Sequence, residues 1–269
     1  MSKIKIFSLG GLNENGKNMY VVKVDEDIFV FDAGLKYDND LNLGIDYIIP
    51  SFDYLIKNKK NVKGIFLTHG HESNMGAVPD ILAKLPDINI YGTKLTLTMV
   101  KNDMTKEEID RTNFKEIRPH SKIDFGKNAI FPISVTHSIP DAVCYVLYTE
   151  DGAIVYTGAF VFDSTVQSIY KTDIGKLAYV GKQGVLCLLA ESIYADKIGH
   201  TSPNNRVSGF IKEVFTNNPN RIIATVFPAH FYRVQEIFNE VSSTHRKIVI
   251  MGKSLQENIN QAIDIGYLT

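Results

Sequence analysis

The sequence has few cysteines and almost no net charge, and both features exclude classes of protein. Its 269 residues include only two cysteines, Cys144 and Cys187, each in an apolar run. We therefore expect buried free thiols and no disulfide framework. The formal net charge is −1, whereas a freestanding electrostatic binder of nucleic acid is normally much more basic. Any nucleic acid must therefore meet a local patch on this chain or on a partner.

Long hydrophobic runs are also missing. No apolar stretch approaches the roughly 18–20 residues that span a bilayer, and the opening MSKIKIFSLGG predicts a strand rather than a charged and apolar leader. We therefore expect a cytoplasmic protein with no membrane partner. Hydrophobic residues make up 44% and charged residues 22% of the chain, close to the globular average, which excludes disorder, collagen and coiled coil for the whole chain.

The chain divides into two parts that differ in their predicted secondary-structure pattern. Up to about residue 200, short apolar runs between glycine and asparagine turns predict strands, some with helices between them. From about Arg206, strand and helix patterns alternate at short intervals, as is typical of parallel βαβ units, with residues 221–227 and 247–252 as predicted strands. We place a domain boundary in the polar stretch 200–206, which gives domains 1–205 and 206–269.

A histidine motif directly follows one predicted strand. In the segment THGHESN (68–74), His69 and His71 lie one residue apart on a loop and can aim at one point, and neutral imidazoles are good zinc ligands. A glycine turn with two exposed histidines is the better interpretation of this motif taken alone. Three further polar segments at strand ends change that balance: FDAG with Asp32, THSIPD with His137, and YTGAFVFD with Ala159.

In their order along the chain, these segments resemble those of the metallo-β-lactamase superfamily and, more closely, ribonuclease J, a bacterial RNA-degrading enzyme. The resemblance covers essentially the whole chain through the blocks LGGLNENGKNMYVV, FDAGLKY, GIDYIIPSFDYL, GIFLTHGHE, YGTKLTL, THSIPD, IVYTGAFVFD, GVLCLLAES, RIIATVF…RVQEIF and RKIVIMGKSLQENINQA. It implies an α/β fold (an α+β sandwich): the αββα sandwich of a metallo-β-lactamase domain over 1–205, followed by the start of an inserted β-CASP α/β domain over 206–269.

Ribonuclease J proteins are much longer than this chain. The sequence stops inside the β-CASP region, and we therefore expect it to be a fragment or a truncated product. On this expectation, the family's late histidine metal ligand and its C-terminal domain are absent.

The resemblance also identifies departures from active members of the family. Their loop is His-x-His-x-Asp-His, but Ser73 and Asn74 occupy the last two positions here, and Ala159 replaces the aspartate that bridges two metals. Serine and asparagine are poor zinc ligands and alanine is none, so we expect the second metal site to be absent. The first site keeps three histidines that, with water, would form a single zinc site: His69, His71 and His137. The alternative is a polar pocket of histidines that holds no metal.

The resemblance suggests roles for four further residues. Asp32 would lie behind the ligands, accept a hydrogen bond from one imidazole and orient it. Glu72 is a weak candidate for a general base, since no second group supports it. His230, which replaces a family asparagine, and Arg233 are candidate contacts to RNA, although a solvated side chain is at least as common an outcome for each.

This pattern predicts an inactive or weakly active paralogue of the second, degenerate ribonuclease J type, acting in RNA processing and decay. The expected partners are RNA, not DNA, and an active ribonuclease J in a homo- or hetero-oligomer. A single-zinc ribonuclease that cuts RNA by itself is one alternative. A small-molecule metallo-hydrolase such as a lactonase is another, but the β-CASP-like residues 206–269 argue against it because that insertion accompanies nucleic-acid substrates in the family.

Overall fold

Two stacked sheets form the centre of the protein, whose computed structural model describes residues 1–38, 44–166, 168–199 and 205–269. The first sheet has the strand order β1-β2-β3-β4-β5-β6 and the second β11-β10-β9-β8-β7. The strands of the first sheet are β1 (Ile4–Gly10), β2 (Met19–Val24), β3 (Asp27–Phe31), β4 (Val62–Phe66), β5 (Asn89–Gly92) and β6 (Asn113–Glu116). Those of the second are β7 (Ile123–Phe125), β8 (Asn128–Ser134), β9 (Val143–Thr149), β10 (Gly152–Tyr156) and β11 (Val185–Leu189).

Strand direction determines at which edge of the first sheet the loops that follow its strands lie. Strands β1, β2 and β3 are antiparallel neighbours, whereas β3, β4, β5 and β6 run parallel. The carboxyl ends of β3 and β4 therefore open on the same edge, because parallel strands finish at one side of a sheet. The segments that follow these two strands, beginning at Asp32 and at residue 67, come together there.

Helices cover the outer face of each sheet. The described helices are α1 (Asp53–Lys57), α2 (Glu72–Met75), α3 (Val78–Lys84), α4 (Lys94–Val100), α5 (Lys106–Arg111), α6 (Ile174–Gln183), α7 (Asn205–Asn217), α8 (Phe231–Ser242) and α9 (Lys253–Asp264). Apolar residues of α3 and α4 share one core cluster with the first sheet. Val180 of α6 is buried against the second sheet. The layering is helix, sheet, sheet, helix, and the predicted αββα sandwich is confirmed.

Aromatic side chains fill the space between the two sheets. Phe31 and Phe66 from the first sheet meet Tyr145 and Tyr156 from the second, and all four are buried. The rings of Phe31 and Tyr156 stack with centroids 5.4 Å apart, while Phe66 meets Tyr145 edge to face at 5.7 Å. Such contacts add about 0.5–1.5 kcal/mol per pair beyond the burial of apolar area. This packing fixes the ends of both sheets relative to each other.

The C-terminal part of the chain packs against the first sheet and the loop that follows β8. Phe231 and Val234 of α8 and Ile259 of α9 are buried in the core cluster of the first sheet. The backbone N–H of Tyr232 also donates to the Ser138 carbonyl at 3.0 Å. The start of α8 is therefore held against the loop that follows β8. The predicted domain boundary at 200–206 lies mostly outside the described residues and stays a prediction.

Two predicted strands in this part do not form. Residues 221–227 and 247–252 belong to no ladder in the described structure. Apolar β-branched patterns favour an extended chain, but a strand also needs a neighbour to accept its hydrogen bonds. Val226 and Ile250 pack against the core cluster of the first sheet, but Ile223, Phe227, Val249 and Met251 are each more than 80% exposed. One side of each run is therefore left uncovered by the described residues. Within the described residues, no helix has the length and apolar character required to cross a membrane.

The two cysteines differ in their surroundings, although both are free thiols. Cys144 is buried in β9, and burial raises the pKa of its thiol to about 12, whereas Cys187 in β11 is half-buried. Because the thiolate is the reactive form, we expect iodoacetamide at pH 8 to modify Cys187 and spare Cys144 in the native protein. Mass spectrometry of the native and urea-denatured chain tests this. Equal labelling of both cysteines in the native state would contradict it.

Candidate metal centre

Two loops bring three histidines together at the shared edge of the sheets. His69 and His71 follow β4, and His137 follows β8. The backbone N–H of Val143, the first residue of β9, donates to the Thr68 carbonyl at 2.9 Å, which ties the first loop to the strand that follows the His137 loop. Gly70 lets the first loop lie flat on the core, because a Cβ there would stand 2.7 Å from the Met99 sulfur. The sequence prediction that these three histidines are neighbours agrees with this geometry.

Three ring nitrogens converge on one point. His71 Nδ1 lies 3.1 Å from His69 Nε2 and 3.1 Å from His137 Nε2. One ligand atom of each histidine falls within 4.8 Å of the other two. In a tetrahedral site with Zn–N distances of about 2.0–2.1 Å, ligand nitrogens stand about 3.3–3.4 Å apart. The spacing of these nitrogens therefore fits a single metal ion.

Burial keeps these imidazoles neutral. Loss of solvent lowers the pKa of His69 well below its ordinary value, and it lowers the pKa of His71 to about 4 and that of His137 to about 3. Repulsion from the neighbouring histidines acts in the same direction. A metal binds the neutral ring, so the three side chains are already in the form that ligates at neutral pH.

A hydroxyl relay selects the tautomer of His69. Its Nδ1 lies 2.9 Å from Thr68 Oγ1, which in turn lies 3.0 Å from each carboxylate oxygen of Asp32. An ionised carboxylate only accepts, so the Thr68 hydroxyl donates to Asp32 and accepts from the Nδ1–H of His69. Nε2, which faces the other histidines, is left with a free lone pair. Thr68 thus stands between Asp32 and the imidazole that Asp32 is predicted to orient.

Asp32 is fully buried and accepts hydrogen bonds from four donor groups. Its carboxylate accepts from the Thr68 backbone N–H at 2.8 Å, the Thr68 hydroxyl, Asn74 Nδ2 at 2.7 Å and the Tyr156 hydroxyl at 2.8 Å. The largest influence on its pKa is burial, which raises it to about 6 against the opposing effect of these donors. Asp32 is therefore a structural hub that links β3, β4, α2 and β10.

The raised pKa of Asp32 predicts a pH effect on stability. The folded chain holds the Asp32 proton up to about pH 6, whereas an unfolded aspartate loses it near pH 3.9. The contribution of Asp32 to the free energy of unfolding is therefore full below about pH 4 and is lost as the pH rises to about 6. Two pKa units correspond to about 3 kcal/mol. We expect wild type to lose this amount relative to Asp32→Asn between pH 4 and 7 in urea denaturation; parallel profiles would contradict it.

At the three positions predicted to have lost a metal ligand, Ser73 and Asn74 are engaged in hydrogen bonds and Ala159 has no ligand atom. The Asn74 amide donates to Asp32, and its oxygen accepts from Ser73 Oγ at 2.7 Å. Ala159 is half-buried and follows Gly158, whose φ of 59° and approach to Thr68 leave no room for a Cβ. Across the described ranges, the three histidines are the one group of potential ligands found close enough to share an ion.

The predicted general base, Glu72, lies at the surface beside the histidines. Its side chain is exposed and accepts a hydrogen bond from the Tyr37 hydroxyl. Burial, followed by this bond, raises the pKa of Tyr37 to about 12, so the phenol stays protonated and remains a donor. To act as a general base at the metal centre, Glu72 would have to release its hydrogen bond with the Tyr37 hydroxyl.

The start of α8 forms one wall of the centre. The backbone of Ala229 hydrogen-bonds the His71 ring, and His230 is close enough to lower the pKa of His71 and His137 by charge repulsion. Arg233, the other predicted RNA contact, forms an ion pair with Glu236, which also accepts from Ser208. A phosphate that binds Arg233 must compete with that carboxylate.

Sequence reasoning missed two members of this site, Thr68 and Tyr156. Thr68 immediately precedes His69, and a hydroxyl at the end of a buried strand is a signal that could have identified it. Tyr156 ends β10 on the opposite sheet and reaches Asp32 only through the packing of the two sheets. No local sequence pattern predicts the hydrogen bond between Tyr156 and Asp32.

Two family models match the chain. The metallo-β-lactamase superfamily matches residues 12–176, and the ribonuclease J β-CASP domain matches residues 219–269. In the solved structures, a protein of unknown function from Enterococcus faecalis V583 superposes with a TM-score of 0.72 at 17% identity. The match covers 97% of this chain and 68% of that one, and it shows a shared fold.

Curated relatives match over nearly the whole chain. It is 39% identical to Ribonuclease J 2 of Staphylococcus aureus (strain MRSA252) over 265 residues, which are 98% of this chain and 47% of that protein. It is 38% identical to Ribonuclease J 2 of Staphylococcus saprophyticus over 266 residues, again 98% of this chain and 47% of that protein. The chain spans about half the length of the curated relatives it matches.

Proposed function

The chain belongs to the metallo-β-lactamase superfamily and is a ribonuclease J-like protein, and from that premise we propose that it is an RNA-binding subunit of RNA processing and decay with little or no hydrolytic activity. One observation carries the proposal. The three histidines of a first metal site converge, while Asn74, at an altered second-site position, is tied to Asp32.

The proposed first site takes one zinc ion through His69, His71 and His137. A zinc ion held there would polarise a phosphoryl oxygen and make a bound water more acidic. Asp32 and Thr68 would fix the ring of His69, and the Ala229 backbone would fix the ring of His71. Conserved partners of this kind orient metal-bound imidazoles in proteins generally.

We propose that the second metal site is absent. Two-metal hydrolases use both ions, one near the attacking and one near the leaving oxygen. Asn74 offers a neutral amide that is engaged with Asp32 and Ser73, and Ala159 offers no ligand atom. A single ion would leave one of the two developing charges without a cation, which supports weak hydrolysis or none.

The proposal includes a ribonuclease J paralogue as partner, in a homo- or hetero-oligomer. Its support is the edge strand β11, which ends the second sheet and, among the described residues, has one row of backbone hydrogen-bonding groups that pairs with no strand. Leu186 and Leu188 on this strand are 54% and 60% exposed, so apolar surface accompanies the free edge. A test is co-purification of the full-length protein with an active paralogue at micromolar concentration, and failure to associate would contradict the partnership.

RNA binding and cleavage test the main proposal together. A labelled 20-nucleotide single-stranded RNA and the DNA of the same sequence serve as ligands for wild type, His69→Ala and His137→Ala. We expect micromolar binding of RNA, weaker binding of DNA, and cleavage of RNA that is slow or undetectable. Rapid turnover of RNA by wild type, lost in both variants, would contradict the proposed lack of activity.

That contrary result would establish a second candidate, a single-zinc ribonuclease. The observation in its favour is the complete set of three ligands, since three histidines plus water form a catalytic zinc site in other enzymes. Glu72 would be its candidate base, and Glu72→Gln would then slow cleavage by about 10²–10⁴-fold. Cleavage that is indifferent to His69→Ala and His137→Ala would instead indicate a contaminating nuclease.

A further inference from the structure

A basic crevice lies at the opposite end of the first sheet from the histidines. It has a volume of about 260 Å³ and is bounded by Lys59 and Lys60 before β4 and by Lys84 at the end of α3. The crevice reaches Val62, seven residues before His69 along β4 and the loop that follows it. At about 3.3 Å per strand residue, this places it roughly 20 Å from the metal centre.

The lysines of this crevice keep their charge unpaired. All three side chains are exposed, and none forms a salt bridge within the described part of the chain. Asp87 is the one carboxylate among the lining residues. Some lysines elsewhere are paired with acids, as Lys122 is with Asp124 at 2.6 Å and Lys127 with Glu150 at 3.1 Å. On a chain of net charge −1, three lysines without an ion pair therefore border one crevice that holds a single carboxylate.

We propose that this lysine crevice, formed by Lys59, Lys60 and Lys84, binds the phosphodiester backbone of RNA. The inference rests on the proposed RNA-binding function and identifies where a nearly neutral chain makes its electrostatic contacts. An ammonium group binds phosphate as a point charge, and each contact releases condensed counterions from the nucleic acid. The three lysine ammonium groups come from two separate segments of the chain and border one concave surface. This arrangement suits the curved phosphate backbone of a single-stranded RNA.

The side chains around the metal centre add little free positive charge of their own. Glu72 is exposed at its rim, and Arg233 is neutralised by Glu236. An acidic protein is a less suitable occupant of the crevice, because hot spots between proteins use aromatic and arginine anchors and the lining contains neither. Backbone binding to RNA needs only cations at a concave surface and reads no base. The crevice would hold one part of an RNA while another part lies at the histidines.

The test is the salt dependence of RNA binding by the triple variant Lys59→Gln, Lys60→Gln, Lys84→Gln. Fluorescence anisotropy with a 20-nucleotide single-stranded RNA is measured from 50 to 200 mM NaCl. Each phosphate contact on a single strand contributes about 0.7 to the slope of log K against log salt. We expect the magnitude of that slope to fall by about 2 and the affinity at 50 mM to fall by at least about tenfold.

A matched control changes the net charge equally at lysines that already have acidic partners. Lys122→Gln, Lys127→Gln, Lys253→Gln removes three such lysines, and its affinity and slope should stay close to those of wild type. If both triple variants lowered the RNA affinity and the salt slope equally, the effect would come from overall charge and not from the crevice. If neither variant changed them, the proposal would also be wrong.

Two further outcomes separate this inference from the function on which it rests. RNA binding that is normal in the crevice variant but lost in His69→Ala and His137→Ala would overturn the crevice and keep the RNA-binding function. No binding of RNA by wild type would overturn both. If wild type then bound polyglutamate through the same three lysines, the crevice would belong to an acidic protein partner instead.

Discussion

Replacing His137 with alanine should abolish tight metal binding. The variant keeps two of the three nitrogens that converge within 4.8 Å. Loss of a partner behind a ligand already costs about 10–100-fold in metal affinity, so loss of a ligand should cost more than about 100-fold. Titration with zinc against a chelator of known affinity measures the change. His69→Ala and His71→Ala should behave in the same way, because all three nitrogens point to one position.

A matched histidine variant shows whether the effect belongs to the site. His120 lies outside the cluster, is partly exposed and pairs with Asp173 at 3.0 Å. His120→Ala should therefore bind zinc as wild type does. If His137→Ala retained wild-type affinity with an unchanged circular dichroism spectrum, the three-histidine site would be wrong.

Thr68→Val should weaken metal binding by about 10–100-fold while keeping the volume of the side chain. The hydroxyl accepts from His69 Nδ1–H and donates to Asp32, and valine can do neither. Without this relay, nothing selects the tautomer that leaves Nε2 free. The shape must be preserved in the test, because Gly158 packs directly on the Thr68 side chain.

Thr68→Ser provides the matched control, since it keeps the hydroxyl and loses the methyl group. Its metal affinity should stay within a few-fold of wild type. Nitrogen-15 NMR of the His69 ring gives a second readout that a general loss of stability would not produce. We expect the Nδ1–H tautomer in wild type and in Thr68→Ser, and a mixture in Thr68→Val. Equal affinity and equal tautomer in all three proteins would contradict the relay.

The parts of the site that are adjacent in sequence could be predicted, because strand ends and histidine spacing are local properties. His69, His71 and His137 each follow an apolar run, and strands that end at one edge bring such loops together. The Asp32 relay could not be specified in the same way. The sequence predicts that Asp32 reaches an imidazole, but the insertion of Thr68 between them depends on positions that only the packed sheets determine.

The C-terminal part shows a different limit. The apolar pattern of residues 221–227 and 247–252 predicts strands, yet pairing depends on a neighbour that the pattern does not contain. The lysine crevice was also beyond sequence reasoning. Lys59 and Lys60 are adjacent along the chain, but Lys84 joins them only because β4 and β5 are neighbours in the sheet.

The most direct test of the central claim is the metal content of the purified chain, measured by mass spectrometry after dialysis without chelator. The three converging histidines and the altered positions Ser73, Asn74 and Ala159 predict about one zinc ion per chain. Two ions per chain would contradict the loss of the second site and restore a two-metal hydrolase. No bound metal would contradict the three-histidine site itself.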